Sequence, residues 1–165
     1  MNAYWPAFSV LLAVLATAVP WGLPADATFL PPMIVLTMVF CYRALPGTIL
    51  PLTLALLLGL LIDILSGGPL GFWALMALIA GIAGARAPSP HDSQDRNRLW
   101  LVWAGVAASV GVLSWVLGSL YILRVIDAWP IAFGVAVSIL LFPLVLRGAL
   151  WIKRGRLSPI YRGLS

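Results

Sequence analysis

Six apolar runs, each close to the length that crosses a bilayer, occupy most of this chain and leave little else for it to fold with. They fall at residues 5–23, 29–44, 46–65, 70–85, 99–123 and 128–150. About a quarter of a soluble domain's residues are charged; here the share is 9%, with a mean hydropathy of +1.06. Such a chain has no polar coat with which to cover a water-soluble core. The expected fold is an all-α integral membrane protein, a compact bundle of six transmembrane helices over residues 1–150. A basic tail at 151–165 follows.

Prolines punctuate these runs. Pro31-Pro32, Pro46, Pro69 and Pro130 all suit a first helical turn, where the missing N–H has no partner to lose. Pro51 lies just inside the third run. Pro143 lies well inside the sixth, where it should kink its helix or sit where a neighbouring helix covers the freed carbonyl.

Charge sets the orientation. Six spans place Arg43, Arg86, Arg96, Arg98, Arg147, Lys153, Arg154, Arg156 and Arg162 on one side and Arg124 alone on the other. Basic residues beside spans are retained in the cytoplasm, so nine against one predicts both termini inside. Asp26, Asp63 and Asp127 then lie near the outer face. Ala25-Asp26-Ala27 resembles a cleavage site, but Met1-Asn2-Ala3-Tyr4 lacks the basic start of a signal peptide, so the first run is read as a retained helix.

Trp5, Trp21, Tyr42, Trp73, Trp100, Trp103, Tyr121, Trp129 and Trp151 fall near predicted helix ends, as an interfacial aromatic belt would. Trp115 falls at mid-span and is assigned to packing. A single cysteine, Cys41, excludes an internal disulfide, and a single histidine, His91, lies in the polar 86–98 loop. With no nucleophile–base pair and no metal-ligand cluster, the chain is predicted to be non-catalytic and to need no cofactor.

Helices in lipid associate through small residues rather than hydrophobicity. One face of the third run carries Ala55, Gly59, Asp63 and Ser66. The fourth carries Ala74, Ala77, Gly81 and Ala85, and the fifth Ala104, Ala108, Gly111, Ser114 and Gly118. The third and fourth should therefore form a tight hairpin. At its corner stand Asp63, Ser66, Gly67, Gly68, Pro69 and Gly71. A carboxylate in a membrane segment is costly unless it meets water or a partner. Here it also faces the partial negative charge of its own helix end. Its compensation is open on sequence alone: Arg124, interfacial water, or the N–H groups that start the fourth helix. Ser66 is expected to cap that helix. Asp63 and Ser66 serve either the turn itself or contact with a partner or ligand.

The run Gly59-x-x-x-Asp63-x-x-Ser66-Gly67-x-x-Leu70-Gly71 resembles the rod shape-determining MreD family, as does Phe29–Arg43 followed by Ala44-Leu45-Pro46. The resemblance extends from Phe29 to Gly84; beyond that it rests on length, hydropathy and the basic end. Leu30-Pro31-Pro32 and Cys41-Tyr42 depart from the family pattern. The resemblance implies a non-catalytic component of the bacterial inner membrane. Such a protein would bind the scaffold MreC and act with MreB, RodA and a class B penicillin-binding protein in wall elongation. It also implies a fold like that of the substrate-binding S-components of ECF transporters.

Two functions are thus in play, a membrane adaptor and a transporter subunit. Polar groups at membrane depth are nearly confined to Asp63, Thr37, Thr53, Ser109, Ser114 and Ser138, too few to converge on a water-soluble vitamin. Serine and threonine in such helices commonly bond their own backbone. The adaptor is the favoured reading. Membrane lipids are expected partners and nucleic acid is not. The tail's Lys153, Arg154, Arg156 and Arg162 are expected to rest on anionic lipid and set orientation, with docking of a cytoplasmic partner the alternative.

Overall fold

The computed structural model describes residues 5–19, 22, 24, 27–48, 50–89 and 93–154. Among the described residues there are six α-helices and no strand: α1 (Trp5–Thr17), α2 (Leu30–Ala44), α3 (Leu52–Ser66), α4 (Phe72–Arg86), α5 (Ser93–Ile122) and α6 (Trp129–Arg154). Two of them hold stretches long and apolar enough to cross a membrane, Gln94–Ile122 with 29 residues and Trp129–Trp151 with 23. The first four are apolar but have only 13 to 15 residues. At 1.5 Å per residue they reach about 20–22 Å, against ~30 Å for a hydrocarbon core.

Several boundaries differ from expectation, each for a local reason. Pro46 does not open α3. It lies in a turn with Gly47 (φ +75°), and Pro51, in extended conformation, precedes the helix instead. The Pro51 carbonyl then accepts the N–H groups of Leu54 and Ala55. Pro69 likewise sits in the turn before α4 rather than in its first residue. By contrast Pro31, Pro32 and Pro130 fall in first turns, as their fixed φ favours. Helix α5 starts at Ser93, six residues early, so the 86–98 loop is shorter than expected. Asp95 in its first turn complements the helix dipole. Helix α6 continues through Arg154, four residues into the tail.

Side-chain contacts fix the relative directions. Ser9 near the start of α1 donates to Tyr42 Oη near the end of α2 at 2.8 Å. Phe29, just before α2, meets Trp73 at the start of α4, with ring centroids 4.9 Å apart. Phe40 in α2 packs on Trp103 in the first half of α5 and on Phe142 in the second half of α6. Successive helices therefore alternate in direction. The ends of α2, α4 and α6 and the starts of α3 and α5 share one end of the bundle, with Arg43, Arg86, Arg96, Arg98 and Arg147. Asp63, Arg124 and Asp127 lie at the other.

The core runs through α2, ten of whose fifteen residues are buried. It meets α1, α4, α5 and α6, while α4 packs most extensively on α3 and α2. Three aromatic residues assigned to the interfacial belt belong to this core: Tyr42, Trp73 and Trp103 are 5%, 7% and 0% exposed. Trp103 is held between Phe40 and Phe142. The face that α5 buries carries Leu99, Trp103, Ala107, Val110 and Ser114, at spacings of four, four, three and four, with Gly111 buried beside them. That is one helical stripe. The small-residue stripe Ala104–Gly118 only partly coincides with it, and Ala108 is exposed.

Candidate functional site: a carboxylate clasp between two helices

Helices α3 and α4 approach so closely because Gly59 has no side chain. A Cβ there would stand 2.4 Å from Ala74 Cα and 2.7 Å from Trp73 O, inside any tolerable contact with backbone. Ala55, Gly59 and Asp63 form the buried stripe of α3, and Ala74, Ala77 and Gly81 that of α4. Ser66 and Ala85, placed on these stripes by spacing alone, are exposed. The last contact of α4 is made instead by Gly84, where a Cβ would meet Phe40 O of α2 at 2.6 Å.

Beyond Ser66 the chain must reverse within five residues, Gly67–Gly71. Gly67 ends α3 with φ +65° and Gly71 precedes α4 with φ +95°. Both lie in the left-handed region that glycine enters without penalty. The reversal leaves the first N–H groups of α4 without helical acceptors, and a buried unpaired N–H costs about 1–3 kcal/mol. Asp63 resolves this. It is 1% exposed; its Oδ2 accepts from Gly71 N at 2.8 Å and Ala74 N at 3.4 Å, and its Oδ1 from Trp73 N at 2.8 Å. The remaining donor, Phe72 N, bonds Pro69 O at 3.2 Å, and Leu75 N closes the first helical bond to Gly71 O. Every opening donor of α4 is thereby accounted for.

Of the compensations open for Asp63, the N–H groups of α4 occupy both its oxygens. Arg124 lies exposed in the α5–α6 link. The dipole at the start of α4 favours an anion there, which offsets the unfavourable end of α3. Ser66 does not cap α4 as expected. Its hydroxyl turns back to Ile62 O at 2.5 Å, the local bonding that serine readily adopts in a last helical turn. Gly68 and Pro69 complete the corner, Gly68 exposed and Pro69 half-buried. Asp127 repeats the principle locally, accepting Trp129 N at 3.0 Å where α6 begins.

The opposite end of the hairpin is tied by Arg43, which charge counting treated only as a marker of sidedness. Its Nε donates to Gly81 O at 3.1 Å and its Nη1 to Leu50 O at 2.8 Å. One guanidinium thus joins α2, the α2–α3 link and α4. The bond to Gly81 falls in an otherwise apolar helix, so spacing gave no sign of it.

The remaining polar groups do not gather. Thr37 bonds Met33 O, Ser109 bonds Gly105 O and Ser138 bonds Val135 O, each within its own helix. Ser114 Oγ and Trp103 Nε1 are buried with no partner among the described residues. The same residues hold no metal-binding cluster of histidine, cysteine or carboxylate. His91, Asp26, Arg156 and Arg162 lie outside the described residues, as do the side chains of Lys153 and Arg154. The site is a structural clasp: it fixes the exposed surface of the Gly67–Gly71 corner. Neither family models, curated proteins nor solved structures yield a match to this chain.

Proposed function

We propose that the chain is a multi-pass protein of the bacterial inner membrane, both termini cytoplasmic, that serves as a non-catalytic adaptor in wall elongation. In this reading it resembles MreD in role as in motif. Its α3–α4 corner helps present a surface to MreC, within the assembly that holds RodA, a class B penicillin-binding protein and MreB. The observation that carries the proposal is the Asp63 clasp. Of the residues that make the MreD-like run, Gly59, Asp63, Gly67 and Gly71 have a task at the corner, namely close approach, capping and two left-handed turns, while Ser66 bonds back to Ile62 O and Leu70 is exposed.

The membrane part of the reading is supported by the outside of the bundle. Leu12, Leu57, Ile64, Val112, Leu140 and Leu144 are each more than half exposed and spread over four helices, α1, α3, α5 and α6. An apolar belt of this kind suits lipid and not water. The alternation of helix direction gathers Arg43, Arg86, Arg96, Arg98 and Arg147 at one end and leaves Arg124 at the other, which supports an N-in, C-in arrangement. The scarcity of converging polar groups favours the adaptor over an S-component-like transporter subunit.

Co-purification with MreC from cells depleted of the native copy tests the proposal. Wild-type chain should retain MreC and restore rods. Asp63→Leu at wild-type abundance should lose MreC, and normal rods with normal MreC recovery for that variant would defeat it.

A further inference from the structure

At the basic end, α5 and α6 part to leave two neighbouring hollows of about 450 and 540 Å³. Arg96 of α5, Arg147 of α6 and Leu150 line both. The larger is completed by Gly148 and Trp151. The other runs deeper, along Phe142, Pro143 and Leu146, with Trp100 as its far wall. Pro143 has no N–H for the Ile139 carbonyl, and Trp100 Nε1 donates to that carbonyl at 2.9 Å instead. The indole therefore bridges the helices across the floor of the cleft, with the arginines above it.

We propose that this cleft binds an anionic phospholipid, its phosphate on Arg96 and Arg147 and an acyl chain along Phe142, Leu146 and Leu150. Three features select that ligand. Two arginines, one from each helix, line both hollows, and guanidinium forks match phosphate oxygens. Neither hollow is lined by a carboxylate among the described residues. Apart from Asn97, the rest of the deeper hollow's wall is aliphatic and aromatic, which suits an acyl chain better than an acidic peptide or a free anion. Basic hollows between helices on the cytoplasmic side are suited to such headgroups. Arg43 offers the contrast: its guanidinium is spent on the carbonyls of Gly81 and Leu50.

The inference rests on the membrane part of the reading above, with α5 and α6 in a bilayer, and is independent of MreC. The test uses the purified full chain in neutral detergent, titrated with phosphatidylglycerol, phosphatidylcholine or soluble glycerol phosphate and followed by native mass spectrometry. Each arginine near a surface phosphate contributes about 1 kcal/mol, or about fivefold in affinity. Wild-type chain should prefer phosphatidylglycerol over phosphatidylcholine, whose quaternary ammonium neutralises its phosphate, by up to about thirtyfold. Arg96→Gln with Arg147→Gln should abolish the preference, while Arg86→Gln, at the same end but outside the cleft, should keep it. Equal binding of both lipids by wild-type chain would overturn the proposal. So would an undiminished preference in the double variant, or glycerol phosphate binding as tightly as the lipid. Carbonate extraction separates the two readings. A wild-type chain that stays in the membrane pellet but shows no lipid preference overturns the cleft alone; one released into the supernatant overturns the membrane reading with it.

Discussion

Asp63 accepts three N–H groups with two oxygens, and this determines what its substitutions should do. Asparagine retains one acceptor and turns an NH₂ toward a backbone donor. Asp63→Asn should therefore lose about 1–3 kcal/mol, and Asp63→Leu, with no acceptor at all, should lose more. Exchanging Asp63 and Arg124 should rescue nothing, since an arginine at 63 offers only donors to donors. Thermal unfolding in detergent checks the order wild type, Asn, Leu; an Asn variant as stable as wild type would mean that the clasp is dispensable. The two kinds of glycine at the corner should also separate. Gly59→Ala presses a methyl onto the α4 backbone, and overpacking of this sort costs about 1–3 kcal/mol. Gly67 has open space around it, so Gly67→Ala meets only the left-handed penalty of about 1–2 kcal/mol, and Gly67→Asn less still. If Asn proved no better tolerated than Ala at 67, backbone conformation would not be the reason for glycine there.

At the scale of elements, the Trp100–Ile139 bond turns a proline defect into a link between helices. Trp100→Phe should leave the Ile139 carbonyl without its partner and, with that face in lipid, cost about 1–3 kcal/mol. Pro143→Ala restores an N–H four residues on, so the same Trp100→Phe change should cost less in that background. A double-mutant cycle measures the difference; a coupling of zero would show that the bond carries no stability. This contact also marks how far sequence alone could reach. Pro143 predicts that some neighbour must cover a freed carbonyl, but which side chain does so depends on the register of α5 against α6. The α3–α4 hairpin was legible because small residues at helical spacing and a glycine-rich reversal are local signals. Asp63 was legible as a costly group, though its choice of backbone donors over Arg124 depends on tertiary geometry. Trp103 misled for a related reason: position near a predicted span end suggests an interface, and only packing against Phe40 and Phe142 shows that it is buried. Arg43, seen as a topology marker, gave no local sign that it would reach Gly81.

For the whole molecule the decisive issue is how many helices cross. Reporters placed after Ser165 or between α5 and α6 cannot settle it. If α5 and α6 alone spanned, the C-terminus would still be cytoplasmic and the 124–127 link still outside. The α3–α4 corner discriminates. In a six-span, N-in arrangement it faces outward, whereas with only two spans everything before Ser93 stays on the cytoplasmic side. Gly68 is suited to a probe, being exposed and with only Ser66 Oγ near the position of a Cβ, at 3.9 Å. It also takes no part in the Asp63 clasp. In a Cys41→Ala background, which removes the one native thiol, Gly68→Cys should react with a membrane-impermeant maleimide in intact spheroplasts. Ala128→Cys, exposed before α6, should label under either arrangement, and Ala85→Cys, exposed at the end of α4, under neither. Four helices of about 20–22 Å can cross only if the bilayer thins around them or their turns sit within the headgroup layer, at a cost of fractions of a kcal/mol per Å. The exposed leucines of α1 and α3 offset that cost only if those helices are immersed. A Gly68→Cys chain that labels only after the membrane is permeabilised, with Ala128→Cys labelling normally, would leave two spans and remove the outward-facing corner on which the MreC proposal depends.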